Sequence, residues 1–437
     1  MEHKVDWVSV QKARFCPHLL SKLINVYRVP KWLPAFLHKP IRSVKSRLTK
    51  VSVIVEVNPE HSFSTLNRAN LGGLLGCQID YRLDIVNSFS TKVNIRTLKK
   101  LVAHEAVSYV WHDREVKALT DVATPVVGAP QVWNSKVKGK GIGIAILDTG
   151  IYPHPDFIKP NNRIIAFKDF IQIRSMPYDD NGHGTHCAGD AAGNGFCSSG
   201  KYCGPAPMAN LIGVKVLDKK GSGRLSKVLA GIQWCIKHKN KYRIKVLSMS
   251  MGSPAIVSYK IDPLCRAVEK ARNAGIVVCC AAGNEGPKAK TINVPGIDPA
   301  VITIGALDDK NTLTINDDII APFSSRGPTI DGLTKPDLVS HGVNIISTRA
   351  PGAYIDKINR QTRVGQWYTS LSGTSMATPI CSGVVALIME ARPELLPDNI
   401  KNILMSTCRT VSSDPNAQGA GLIDAEAAIR LTTAYND

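Results

Sequence analysis

Five short apolar runs constrain this chain more than any other feature of it. Ile142–Leu147 is continuously apolar, and Leu211–Val216, Val246–Met251, Ile276–Ala281 and Val301–Ile304 repeat its character. A parallel strand needs such a run when helices cover both faces of its sheet. Helix-like stretches such as Ser226–Lys237 and Pro263–Ala274 lie between the runs. Strand, helix and parallel strand in succession predict an α/β fold with a doubly wound, mostly parallel sheet. The texture begins near residue 120, so residues 120–437 are expected to form one large domain.

Upstream the pattern is different. Val51, Val53, Val55 and Val57 alternate with Ser52, Ile54 and Glu56, as in a strand. A weaker helical stretch runs to about Leu75, weakened by Gly72 and Gly73. Ile79, Tyr81, Leu83 and Ile85 alternate again, followed by Phe89, Thr91 and Val93. Leu98, Leu101, Val102 and Ala106 mark one helix face, ahead of a last strand near Tyr109–Trp111. The order β-α-β-β-α-β over 51–116 is that of a small ferredoxin-like α+β module.

Residues 1–50 form a basic N-terminal extension. They carry 11 Lys/Arg against Glu2 and Asp6, which is +9 of the chain's formal net charge of +19. Leu19, Leu20, Leu23, Ile24 and Tyr27 recur at helical spacing, and Pro30, Pro34 and Pro40 are expected to break any long helix. The charge reads as a solvated leader. No aromatic-interleaved basic module accompanies it, so nucleic acid is not an expected partner.

Glu2 and Asp6 interrupt the start and no apolar core of a signal peptide follows. No apolar run of about 18 residues suggests a membrane span. The 11 cysteines are an odd number without a disulfide-framework spacing. Cys279 and Cys280 are adjacent; Cys197 and Cys203 flank a Gly/Ser loop and could pair, although two free thiols are expected. A cytoplasmic protein is expected, with leaderless release compatible with it. A monomer is the expected state.

In parallel sheets, functional groups collect at the carboxyl ends of strands. Asp148 follows the run Ile142–Leu147, although an Asp at a strand end is commonly a turn or cap residue. His183-Gly184-Thr185-His186-Cys187 follows Asp179-Asp180-Asn181-Gly182. Here His183 at a helix start, zinc ligation by His183, His186 and Cys187, and purely structural histidines all compete. Ser375, in Gly373-Thr-Ser-Met-Ala-Thr-Pro379 ahead of the apolar stretch Ile380–Met389, is an N-cap or a nucleophile. The chain order Asp…His…Ser differs from that of α/β-hydrolases and of chymotrypsin-type enzymes.

Asp148-Thr-Gly, His183-Gly-Thr-His and Gly-Thr-Ser375-Met-Ala-Thr-Pro closely resemble the three signatures of the subtilase family, over residues from about 120 to 430. The resemblance implies a serine endopeptidase that hydrolyses proteins and peptides with broad specificity. Ser375 would be the nucleophile, His183 the general base and Asp148 its orienting partner. Ala281-Ala-Gly283-Asn284-Glu-Gly resembles the oxyanion-hole segment, with Asn284 as a donor. Gly221-Ser222-Gly223 and Ser250-Met251-Gly252 would flank an extended substrate, with Ala281 and Gly283 also substrate-binding and Asn293 at the floor of the first specificity pocket. No cofactor is required by this reading and no metal ligands are assigned; calcium occurs in relatives, but nothing here places it. The 51–116 module would be a pro-region that inhibits its own enzyme in a zymogen, cut off between His112 and Thr120. Near Ser340-His341-Gly342 the chain departs from the family's Ala-Pro-Gly, and His341 reads as a loop substitution.

Overall fold

The computed structural model describes residues 11–27, 34–58, 78–113, 115–118, 128–310, 312 and 315–434. The chain divides into two compact units, Met1–Arg114 and Glu115–Asp437.

In the first unit, strands β1 (Lys50–Val57), β2 (Ile79–Leu83), β3 (Ser88–Asn94) and β4 (Val107–His112) form one sheet in the order β2-β3-β1-β4. The three pairings are antiparallel. Helices α1 (Pro17–Tyr27), α2 (Ala35–Leu48) and α3 (Ile95–Ala103) accompany it. Asn94 starts α3 by accepting the Thr97 N–H on its side chain at 2.8 Å, a helix N-cap. That helix buries Ile95, Leu98, Leu101 and Val102, the helical stripe expected from the sequence. The helix expected before Leu75 lies outside the described residues.

Two expectations change here. The basic head is not a separate piece: Cys16, Leu19 and Leu23 are buried, and Arg14 donates to the Val102 carbonyl at 2.9 Å. Residues of the head and of the module therefore share one core. Pro40 lies inside α2, as its sixth residue, rather than ending it, and leaves one backbone hydrogen bond of the ladder unmade.

The second unit is built on an eight-stranded sheet. It contains β6 (Gly143–Asp148), β7 (Ile164–Asp169), β8 (Asn210–Lys215), β10 (Ile244–Met249), β12 (Val277–Ala281), β14 (Ile302–Asp308), β15 (Ile319–Ile320) and β16 (Leu338–His341). The order is β15-β14-β12-β10-β6-β8-β7, with β16 beside β14. All neighbours are parallel except β14 and β15. Every residue of β6 and β12 is buried, as the unbroken apolar runs predicted.

Helices α4 (Pro155–Ile158), α5 (His183–Ala192), α6 (Leu225–His238), α7 (Pro263–Asn273) and α8 (Thr374–Ala391) follow in chain order. Helix α8 has the length and apolarity of a membrane span, contrary to the expectation from the sequence. Yet 89% of it is buried inside this unit, where Met376, Ile380, Val384 and Leu387 belong to the main core. It is a central core helix. Truncating a buried leucine such as Leu387 to Ala would cost about 2–5 kcal/mol.

Two small sheets complete the unit. One joins β5 (Glu115–Ala118), β9 (Ser222–Arg224), β11 (Met251–Pro254) and β13 (Asn293–Val294) in the order β13-β11-β5-β9. The other is β17 (Ile345–Thr348), β19 (Tyr368–Leu371) and β18 (Arg363–Val364).

Candidate active site

Asp148 is the last residue of the central strand β6, and His183 is the first residue of α5. Both are fully buried, with His183 Nδ1 2.8 Å from Asp148 Oδ1. Local chemistry aims them. Asp148 Oδ1 also accepts the Thr149 N–H at 2.7 Å, and Thr149 Oγ1 accepts the Gly184 N–H at 2.8 Å, tying the strand end to the helix start. Asp179 fixes the turn before His183. Its Oδ1 accepts the N–H groups of Asn181 and Gly182 and the Thr149 hydroxyl, while its Oδ2 accepts both the N–H and the hydroxyl of Thr185.

Burial disfavours the His183 imidazolium, but the Asp148 carboxylate beside it and the neighbouring Cys187 hold its pKa well above the ordinary value. Such a pair stabilises a positive ring at the moment when it takes up a proton.

Ser375 lies in the first turn of α8 and is fully buried. Its hydroxyl donates to the Ser250 carbonyl at 3.2 Å, and the Ser250 hydroxyl donates to the Ser375 carbonyl at 2.7 Å. Cys187 links the Ser375 backbone to the imidazole: its Sγ donates to the Ser375 carbonyl at 3.5 Å and lies 3.8 Å from His183 Nδ1. Burial raises the Cys187 pKa to about 11, so it stays a thiol. The zinc alternative for His183, His186 and Cys187 does not hold, because His186 is committed elsewhere. Its Nδ1 lies 2.9 Å from Asp190 Oδ2 and its Nε2 lies 3.1 Å from the Ile345 carbonyl. Asp148, His183 and Cys187 do place three donor atoms within 4.8 Å of one another.

Asn284 follows β12 by way of Ala282 and Gly283. Its side-chain oxygen accepts the Thr374 N–H at 3.1 Å and the Thr374 hydroxyl at 3.0 Å, so the residue before Ser375 fixes the amide's orientation. Gly283 has φ 117°, a conformation that favours glycine, and a Cβ there would meet Ser325 Oγ at 2.7 Å.

Several of the residues expected to flank a substrate pair with β5. Lys117 pairs with Ser222 and Val116 with Gly223 on one side; Lys117 with Gly252 and Ala118 with Met251 on the other, both antiparallel. Gly221 stands just ahead of β9 at φ 75°. Ala281 ends β12, and Asn293 is buried in β13, where its amide donates to Glu285 Oε2 at 3.1 Å. Ser325 donates to the same carboxylate at 3.2 Å. Thr374, Asp179, Glu285 and Ser325 were not singled out from the sequence, and Cys187 entered only as a candidate zinc ligand. The first three sit inside the quoted motifs or their flanks, where position alone did not distinguish support from filler.

His341 is not in a loop. It ends β16, is buried, and has neither ring nitrogen hydrogen-bonded. Burial, with the Arg409 charge behind it, lowers its pKa to about 4. The loop 194–204 carries no carboxylate, so it does not itself supply the oxygen-rich donor set that calcium takes.

The sequence profile of the Subtilase family matches residues 139–421. The chain is 45% identical over 436 residues to the serine protease AprX of Bacillus subtilis, covering 97% of this chain and 96% of that one. It is 33% identical over 353 residues to a thermostable alkaline protease of Halalkalibacterium halodurans, covering 79% and 85% of the two chains. Among solved structures, fervidolysin of Fervidobacterium pennivorans, a keratinolytic enzyme related to subtilisin, shares the fold. Its TM-score is 0.68 at 24% identity, over 87% of this chain and 61% of that longer one.

Proposed function

This chain belongs to the subtilase family of serine proteases, and we propose that it is a broad-specificity endopeptidase working through Asp148, His183 and Ser375, with Asn284 as oxyanion donor. The observation that carries the endopeptidase reading is β5, a stretch of main chain held between the edges β9 and β11. Pairing on both sides through backbone groups binds an extended peptide with little regard to its side chains.

In the reaction the Ser375 hydroxyl leaves the Ser250 carbonyl, passes its proton to His183 Nε2 and attacks the scissile carbonyl. The Nδ1–H donates to Asp148 throughout, which sets the tautomer and offsets the ring's charge. The Ser375 N–H and the Asn284 amide receive the developing oxyanion. His183 then returns its proton to the leaving amine, and water repeats the sequence on the acyl-enzyme. No step requires a metal.

The first unit acts as an inhibitor of this enzyme, in our reading, and β5, at the start of the second unit, occupies the substrate's place as a product-like strand. Among the described residues the cysteines form no disulfide, which supports our reading of a reducing compartment. Digestion of denatured casein by the purified full-length protein tests the activity. Wild type should release peptides and Ser375→Ala should not. Ester cleavage without casein digestion would replace the peptidase with an esterase.

A further inference from the structure

Between Asp218 and Asp262 the sequence holds no Asp or Glu, and neither does the stretch between Asp121 and Asp148. The fold brings basic parts of these two stretches together. Residues 237–243, Lys-His-Lys-Asn-Lys-Tyr-Arg, run from the end of α6 through the turn before β10, and residues 136–140, Lys-Val-Lys-Gly-Lys, lead toward β6. The Gly143 N–H donates to the Arg243 carbonyl at 2.9 Å, and a Cβ on Gly141 would stand 3.3 Å from the Arg243 guanidinium. Lys136, Lys140, Lys237, Lys241 and Arg243 are exposed. None of the five forms an ion pair with any described residue.

Aromatic rings sit among these cations. Trp234 and His238 stack with centroids 4.4 Å apart, and Tyr242 lies 5.8 Å from the first and 6.1 Å from the second, nearly parallel to both. Lys241 Nζ is 5.0 Å from the Tyr242 ring centre. All three rings are half-buried. They spend their faces on one another, which leaves little for nucleic-acid bases to stack on. Trp and Tyr beside Lys is instead the composition of a membrane interface. The dipole of α6 favours Lys237 and His238 in its last turn, but gives no reason for the other cations.

We propose that this face docks the second unit on an anionic phospholipid surface. An anionic leaflet holds basic clusters of this kind, each Lys or Arg strengthening binding roughly fivefold. The position suits the role. Strands β6 and β10 run parallel, with the basic residues ahead of their first residues, Asp148 ending β6 and Ser250 just past the end of β10. Six residues of strand span about 20 Å. The docked face and the catalytic groups therefore lie at opposite ends of the sheet, and lipid at one leaves the cleft at the other open. The docking is independent of the reaction at Ser375.

Full-length Ser375→Ala protein is sedimented with vesicles of phosphatidylcholine, alone or mixed with an equal part of phosphatidylglycerol. Binding to the mixed vesicles only is expected, weakening steeply as salt is raised. In that background Lys237→Gln, Lys241→Gln and Arg243→Gln together should weaken binding about a hundredfold. Lys288→Gln, Lys290→Gln and Lys357→Gln together remove three exposed cations elsewhere and should change it far less. Circular dichroism checks that both triple variants fold. No binding to the mixed vesicles overturns the proposal. So does an equal loss in the two triple variants, which would trace binding to total charge. Binding undiminished in the first triple variant overturns it too, tracing the contact to another basic segment such as residues 1–50. Tighter binding of single-stranded DNA than of mixed vesicles at equal phosphate, lost in the first triple variant, would reassign the face to nucleic acid.

Discussion

The side-chain oxygen of Asn284 is gripped twice by Thr374, through its N–H at 3.1 Å and its hydroxyl at 3.0 Å. An Asn amide has one acceptor end and one donor end. Anchoring the oxygen fixes how the donor end is presented, and the anchor is the residue immediately before Ser375. Thr374→Val keeps shape but deletes the hydroxyl, which also accepts the Gly283 N–H at 3.3 Å. Losing about 1–1.5 kcal/mol of orientation should lower kcat roughly tenfold with KM nearly unchanged. Thr374→Ser should restore most of the rate. A loss confined to KM would place Thr374 in substrate binding instead.

Removing the donor itself should cost more. Asn284→Ala is expected to lower kcat by about 10²–10³ while KM stays close to wild type, because the hydrogen bond matures in the transition state. Steady-state kinetics on a soluble peptide separates the two constants. An unchanged kcat would move the oxyanion donor elsewhere.

The Asp148–His183 pair predicts an alkaline enzyme. In the proposed mechanism His183 must be neutral to accept the Ser375 proton, and its pKa is held well above 6.5. Activity therefore rises only as pH climbs through that raised value, and the acid limb of kcat/KM should lie above pH 6.5. Asp148→Asn removes the charge that sustains the shift. It should move the limb downward and lower kcat by about 10⁴, the scale known for this change in a Ser-His-Asp triad. A limb at or below pH 6.5 in wild type would contradict the electrostatic account.

His341 sets an acid limit on stability. Its folded pKa of about 4 lies below the unfolded value near 6.5, so the unfolded chain takes up the proton first as pH falls. The folded state then loses stability between about pH 6.5 and 4, by up to roughly 3 kcal/mol. His341→Leu removes that titration and two unpartnered ring nitrogens. Denaturant unfolding in the Ser375→Ala background should show the variant gaining on its parent at pH 4.5 relative to pH 8. Equal pH dependence of the two proteins would assign the acid loss to other groups.

Much of this was legible because the sequence carries it locally. The runs ending in Asp148 and Ala281 announced buried parallel strands, and strand ends are where such sheets place function. The helical stripe Leu98, Leu101, Val102 announced α3 in the same way. What stayed hidden depends on contacts across the chain. Nothing local to Asp179 says that one carboxylate will take five donors from Thr149 and the turn 181–185. His341 looked like a loop residue because its burial comes from neighbouring elements, not from its own short strand. The shared core of Leu19 and Leu23 with the module was equally invisible, since a proline-rich basic stretch gives no tertiary signal.

The register of β5 yields the last prediction, which concerns where the enzyme cuts itself. Lys117 stands opposite Gly252 and Ala118 opposite Met251. The next cleft residue is Ser250, whose carbonyl receives the Ser375 hydroxyl. The described part of β5 ends at Ala118 with its register running toward Ser250, and we predict that self-cleavage follows directly, at the Leu119–Thr120 bond. Mature wild-type protein should begin at Thr120, and Ser375→Ala should stay full length. The opposite edge supplies a second handle. A Cβ on Gly223 would meet the Val216 carbonyl at 2.3 Å, a backbone clash that only movement of β9 relieves. Gly223→Ala should therefore slow both self-cleavage and casein digestion, since one edge serves both chains. N-terminal sequencing over a time course reads the first effect and peptide release the second. Active enzyme that retains residues 51–116 by covalent linkage would refute the cut, and a Gly223→Ala variant that processes normally but digests casein poorly would break the shared-edge argument.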